Sequence, residues 1–139
     1  NLAALTVVAW IKKGAVGREE GIVTKYTSGN KASFYIADNP SNNIVAFVGD
    51  GTNSDTLTSN RQISDTTTWH HLAMVYQGST TFALYIDGAL DKQSGSVTTA
   101  TCRTSTAEPF NIGDNTNGAS TYFFRGAIDE VRILNVAIV

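Results

Sequence analysis

The 139-residue sequence predicts an all-β fold, a two-sheet antiparallel β-sandwich of the jelly-roll kind, on three observations. Short runs rich in Val, Ile, Thr, Tyr and Phe recur along the chain, each bounded by Gly, Asn, Asp or Ser. No stretch sustains a helical apolar period, and nothing repeats at a fixed interval, which argues against a propeller. Asp87-Gly88 sits between two alternating runs, where a type I′ hairpin turn needs positive φ at both central positions.

Taken in order, the predicted strands are residues 6–12, 21–26, 32–37, 44–48, 70–77, 81–86, 89–92, 110–112, 123–125 and 128–134. The hairpin is the clearest element. Phe82, Leu84 and Ile86 share one face, Ala83 and Tyr85 the other, and Asp87-Gly88 turns the chain into 89–92. Gln77-Gly78-Ser79-Thr80 joins this hairpin to the strand after Trp69, giving a three-stranded meander. Pro40 and Pro109 both fall between strands, where a missing N–H does little harm. Polar stretches 49–68, 94–106 and 114–121 read as loops and so as the places to look for binding.

The length suits one domain, residues 1–139. Hydrophobic residues at 42% supply a core, and charged residues at 16% exclude a disordered tail. A net charge of -2, with ten scattered basic residues, excludes a nucleic-acid footprint. No apolar run is long enough to span a bilayer, so membrane insertion is not expected. Cys102 is the single cysteine, which rules out an internal disulfide; it reads as a small, semi-buried packing residue.

Three segments carry a family resemblance. Leu5-Thr6-Val7-Val8-Ala9-Trp10-Ile11-Lys12 with Gly21-Ile22-Val23-Thr24-Lys25-Tyr26 is the first. Trp69-His70-His71-Leu72-Ala73-Met74-Val75-Tyr76 with Leu84-Tyr85-Ile86-Asp87-Gly88 is the second. Phe124-Arg125-Gly126-Ala127-Ile128-Asp129-Glu130-Val131-Arg132-Ile133-Leu134 is the third. In this order they resemble the opening, central meander and closing strand of the laminin-G-like, concanavalin A-like lectin/glucanase jelly rolls. The resemblance implies a recognition or adhesion module for carbohydrate or a protein surface. It further implies a place in a larger secreted, cell-surface or virion protein. A divergent glycan-active enzyme and a structural spacer are the alternatives. Family members also carry a strand ahead of the Trp10 segment. If this domain lacks it, a neighbouring strand is left uncovered and a second copy could fill the gap as a homodimer.

Catalytic residues are not expected. The glucanases of this fold carry a signature resembling E-x-D-x-x-E, and Glu19, Glu20, Glu108 and Glu130 are the only glutamates here, none of which opens it. His70 and His71 are adjacent, so on a strand they diverge and cannot share a metal; His71 reads as the packed, hydrogen-bonded one. Trp10, Trp69 and Tyr26 read as core from their motif positions. The ligand-binding candidates are Asp114, Asn115, Asn117 and Tyr122, a polar loop running up to aromatics. The oxygen-rich loops 50–55 and 114–118 could bind Ca²⁺ but lack the bidentate glutamate of an EF-hand and read first as Asx turns.

Asp129 is the one metal candidate. In 127–133 the odd positions Ala127, Asp129, Val131 and Ile133 form an apolar face with one carboxylate in it. An inward Asp129 needs hydrogen-bond donors or a cation. Its similarity to an Asp in jelly-roll calcium sites makes calcium the cofactor to test, behind simple hydrogen bonding.

Overall fold

The computed structural model describes residues 1–27, 32–104, 107–114 and 122–138. Ten strands form two five-stranded antiparallel sheets. The first sheet runs β10 (Gly126–Leu134), β1 (Ala4–Lys13), β6 (His70–Gln77), β7 (Thr81–Ile86), β8 (Ala89–Gln93). The second runs β5 (Ser54–Gln62), β4 (Asn43–Gly49), β3 (Ala32–Asp38), β2 (Glu20–Thr27), β9 (Asn111–Ile112).

Alternation decides which side chains meet between the sheets. On β1 the odd residues Leu5, Val7, Ala9 and Ile11 are sealed from solvent. In register they oppose Tyr76, Met74, Leu72 and His70 of β6. Phe82, Leu84 and Ile86 extend this layer on β7. Phe34, Ile36, Ile44, Ala46, Val48 and Leu57 answer from the second sheet. Directly opposed side chains share a face, so each ladder delivers a ready-made apolar layer to the facing sheet. Cys102 is fully buried, more so than the sequence suggested, and burial pushes its thiol up to about 11.

One end of the core is polar. Lys13, the next odd residue of β1, has no exposed side-chain surface and pairs with the buried Asp38 carboxylate of β3. Its Nζ also donates to Asn42 Oδ1 at 3.1 Å and to the Ile63 carbonyl at 2.9 Å. This ion pair bolts one sheet to the other.

Several elements differ from the sequence expectation. Residues 54–62, expected as loop, form β5, an edge strand with only Leu57 as a large apolar residue. Beyond its ladder with β4, side-chain hydrogen bonds hold it. Ser59 Oγ accepts from Ile44 N, and Asp91 of β8 accepts from Asn60 N and Arg61 N where β5 bulges. A strap after β8 covers the start of β5, with Asp55 accepting from the backbone and hydroxyl groups of Thr98 and Thr99. Residues 123–125 are not a strand; Phe123 makes an isolated parallel bridge to Gly21. β1 is paired on both sides, by β10 and β6, so the edges a second copy would have to cover in this sheet are β10 and β8. Gly126 opens β10 at φ 153°, and a Cβ there would lie 2.1 Å from the Lys12 carbonyl oxygen.

Candidate functional site

The loop candidates divide. Asn115 and Asn117 lie outside the described residues. Asp114 and Tyr122 both flank β2: Thr24 Oγ1 donates to the Asp114 carbonyl at 2.7 Å, and Gly21 N donates to the Tyr122 carbonyl at 2.8 Å. Tyr122 is half-buried and lines a shallow cleft of about 290 Å³ with Arg18, Glu19 and Pro40. Asp50 accepts from Thr52 N and Asn53 N at 2.7 Å each, so its loop is a closed Asx turn. Among the described residues no group of three or more His, Cys, Asp or Glu side chains is placed to hold a metal.

Asp129 is exposed, contrary to the inward orientation read from alternation. The cause is a bulge. Val8 opposes Arg132 and Trp10 opposes Asp129, so two steps on β1 face three on β10. Glu130, at φ 50°, takes the extra residue in a left-handed conformation. The inward phase therefore changes there: Ile128 before the bulge and Val131 after it both pack on the core. Asp129 joins Trp10 on the outer face, where its Oδ1 accepts from Glu130 N at 2.7 Å.

That outer face holds the residues the motif reading misplaced. Trp10 is 40% exposed and Trp69 is 38% exposed; neither is core. Parity explains it: Trp10 is an even residue of β1, on the face opposite Val7, Ala9 and Ile11, and this signal was present in the sequence. His71, directly opposite Trp10 on β6, meets its ring edge-on with centroids 5.2 Å apart. Lys12 Nζ lies 5.5 Å from the centre of the Trp69 ring, a cation–π contact. The two indoles, His71, Thr68, Asp87 and Gly88 surround an open cleft of about 630 Å³. It runs into a second hollow of about 280 Å³ over Val8, Ala73, Val75 and Tyr85 that shares His71 and Gly88 with it. Aromatic faces stand beside hydroxyl, carboxylate and ammonium groups, a lining suited to an amphipathic ligand.

Beneath the cleft, His70 faces inward and is 5% exposed. The satisfied histidine is thus His70, on the Leu72 and Met74 face, rather than His71. Its Nε2 lies 2.9 Å from Asp65 Oδ2 and its Nδ1 lies 3.0 Å from Asp87 Oδ2. Both ring contacts are hydrogen bonds to carboxylates at once only when both ring nitrogens carry protons. Burial pulls the imidazole down, but the Asp65 and Asp87 hydrogen bonds outweigh it and hold the ring above its ordinary 6.5. Burial pushes Asp87 up, and His70, the His71 N–H and Arg61 more than reverse that. His70 and the Thr68 N–H hold Asp65 well below the usual carboxylate range. The network ties the loop carrying Thr68 and Trp69 to the Asp87-Gly88 turn, so it sets the spacing of the cleft walls.

Solved structures share this architecture. The CBM40 domain of the Ruminococcus gnavus IT-sialidase bound to α2,3-sialyllactose superposes with a TM-score of 0.79 at 15% identity, over 99% of this chain and 79% of that one. Domain 4 of AbnA, a GH43 extracellular arabinanase from Geobacillus stearothermophilus, in complex with arabinotriose, gives 0.72 at 19% identity, over 100% and 64%. Domains LG4-5 of the mouse laminin α1 chain give 0.68 at 16%, over 99% and 38%, so this chain spans well under half of that length. These identities speak for fold alone. No curated protein matches the sequence. A family model for concanavalin A-like domains of the laminin G type matches residues 1–139, and the chain belongs to the concanavalin A-like lectin/glucanases superfamily.

Proposed function

We propose that this domain is a non-catalytic glycan-binding module whose sugar site is the outer face of the first sheet, centred on Trp10 and Trp69. The observation that carries the reading is the pair of indoles, each more than a third exposed around one open cleft, Trp10 on β1 and Trp69 on the residue just before β6. Two large aromatic rings left part-exposed around one cleft form an apolar patch that a ligand can cover. Sugars offer the matching chemistry, apolar C–H faces for the rings and hydroxyls for Thr68, Asp87 and Lys12. Neighbours whose structures hold sialyllactose and arabinotriose support the same reading. The larger secreted, surface or virion protein implied by the family resemblance is part of this proposal.

Glycan-array screening followed by titration calorimetry tests it. The expected result is saturable binding with quenching or shift of indole fluorescence. Trp10→Ala and Trp69→Ala should each weaken affinity about tenfold, or roughly 1.4 kcal/mol. Because Trp69 is partly exposed, its removal should cost about 1–2 kcal/mol of stability, below the range for a core aromatic. Binding lost in Tyr122→Ala but kept in both tryptophan variants would move the site to the Tyr122 cleft. Release of reducing sugar would overturn the non-catalytic assignment.

A further inference from the structure

We infer that the bulge in β10 builds a separate subsite for the adjacent hydroxyls of one neutral sugar ring, resting on the glycan reading above. A small hollow of about 140 Å³ lies on the outer face between Val8, Trp10, His71, Glu130 and Arg132. Its walls differ from the rest of the cleft: an indole on one side and an ion pair on the other. Arg132 Nη2 donates to Glu130 Oε2 at 2.6 Å, and both side chains are more than half exposed. That bond leaves Glu130 Oε1 as an acceptor and the other guanidinium N–H groups as donors, with no partners among the described residues. An acceptor and a planar donor side by side complement a vicinal diol, one hydroxyl donating to the carboxylate and its neighbour accepting from the guanidinium. Trp10 offers the apolar surface for the ring carrying that diol, and the edge-on contact with His71 fixes the indole.

The backbone gives the second argument. A left-handed residue within a strand is ordinarily Gly, Asn or Asp, and Glu is a strained choice. The bulge itself is needed, since it lets both Ile128 and Val131 reach the core. A bulge serving packing alone would be cheaper with glycine. With glutamate at φ 50°, the strain is spent on placing a carboxylate next to Trp10. Charge selects the ligand. Glu130 and Arg132 cancel, and exposed Asp129, opposite Trp10, is offset by Lys12 two residues along β1, so the face carries no net charge to attract an anionic sugar.

The test uses isotope-labelled domain titrated with methyl β-galactoside, methyl β-glucoside and methyl α-N-acetylneuraminide. Reporters are the Trp10 and Trp69 indole N–H and the Arg132 Nε–H resonances. A neutral glycoside should shift Trp10 and Arg132 together and bind more tightly than the sialoside. Glu130→Gln should weaken that binding about tenfold with an unchanged melting temperature. Glu130→Gly should weaken it as much while melting at the same or a higher temperature, because glycine relieves the strain. Shifts at Trp69 without Arg132 would overturn the subsite and leave the glycan reading standing. A lower melting temperature in Glu130→Gly with unchanged affinity would make the bulge purely structural. Tighter sialoside binding would overturn the neutral-diol assignment, and silence at all three reporters would overturn both readings.

Discussion

Replacing Lys13 by Met should reveal how much of the sandwich depends on one buried ion pair. The side chains of Lys13 and Asp38 are 0% and 1% exposed, so neither charge can fall back on water. Lys13→Met deletes the Asp38 partner and removes the donor to the Ile63 carbonyl, while Asn42 Oδ1 keeps Gly17 N. Asp38 Oδ1 has no hydrogen-bond partner among the described residues, so the stranded carboxylate would be solvated still more poorly. Breaking a buried pair from one side costs about 3–5 kcal/mol. For a domain of this size that is a fall of about 10–20 °C in melting temperature. Burial already holds the Asp38 carboxyl above its ordinary 3.8 even with Lys13 beside it, so Lys13 offsets the desolvation only in part. The double variant Lys13→Met/Asp38→Leu should therefore recover at least about 2 kcal/mol of the loss. Urea unfolding of wild type, both single variants and the double variant closes the cycle. A Lys13→Met loss below about 1 kcal/mol, or additive single effects, would refute the reasoning.

His70 predicts a stability window. Its folded pKa is raised, so its contribution is complete below 6.5 and is lost as pH rises through the folded value; Asp65 and Asp87 are depressed, so theirs is lost as pH falls through their folded values. Melting temperature should therefore peak between those limits, and His70→Gln should flatten the alkaline side of the profile. Gly126→Ala should cost about 2–4 kcal/mol by chemical denaturation, because the new methyl meets the Lys12 carbonyl and φ is unfavourable. Asp129 already accepts from Glu130 N, so melts in calcium and in chelator should coincide; a rise with calcium in wild type but not in Asp129→Asn would place a cation there.

The parts of the fold legible in the sequence are those where one physical rule acts alone. The β6–β7–β8 meander follows from strict alternation and one Asp-Gly turn, and His70–Gln77 and Thr81–Ile86 fall where expected. β5 was hidden because it lies at an edge and is held by Ser59, Asp91 and Asp55 rather than by apolar burial. Trp10 and Trp69 were misplaced when motif position was weighed above parity. Parity itself failed at Asp129, since the left-handed residue that resets the phase is Glu130, a residue type that gives no local sign of a bulge. The loop candidates were half accessible: Asp114 and Tyr122 flank β2, but the cleft with two exposed indoles was assembled by residues nearly sixty positions apart.

The strap over β5 has a consequence for behaviour in acid. An open sheet edge invites other chains to add themselves to it, and here the guard combines one carboxylate, Asp55, with the buried residues Val97, Thr99 and Cys102. Asp55 is kept ionised because four donors from Thr98 and Thr99 outweigh its partial burial. Protonation would weaken those four bonds, leaving the burial of Val97 and Cys102 and the Tyr76 hydroxyl bond to the Thr99 carbonyl to hold the strap. The strand beneath is polar, bulged and carries Asp55 and Arg61, features that discourage other chains from pairing with it. Acid should therefore loosen the Thr98–Thr99 contact locally, while the buried part of the strap keeps its place against the core.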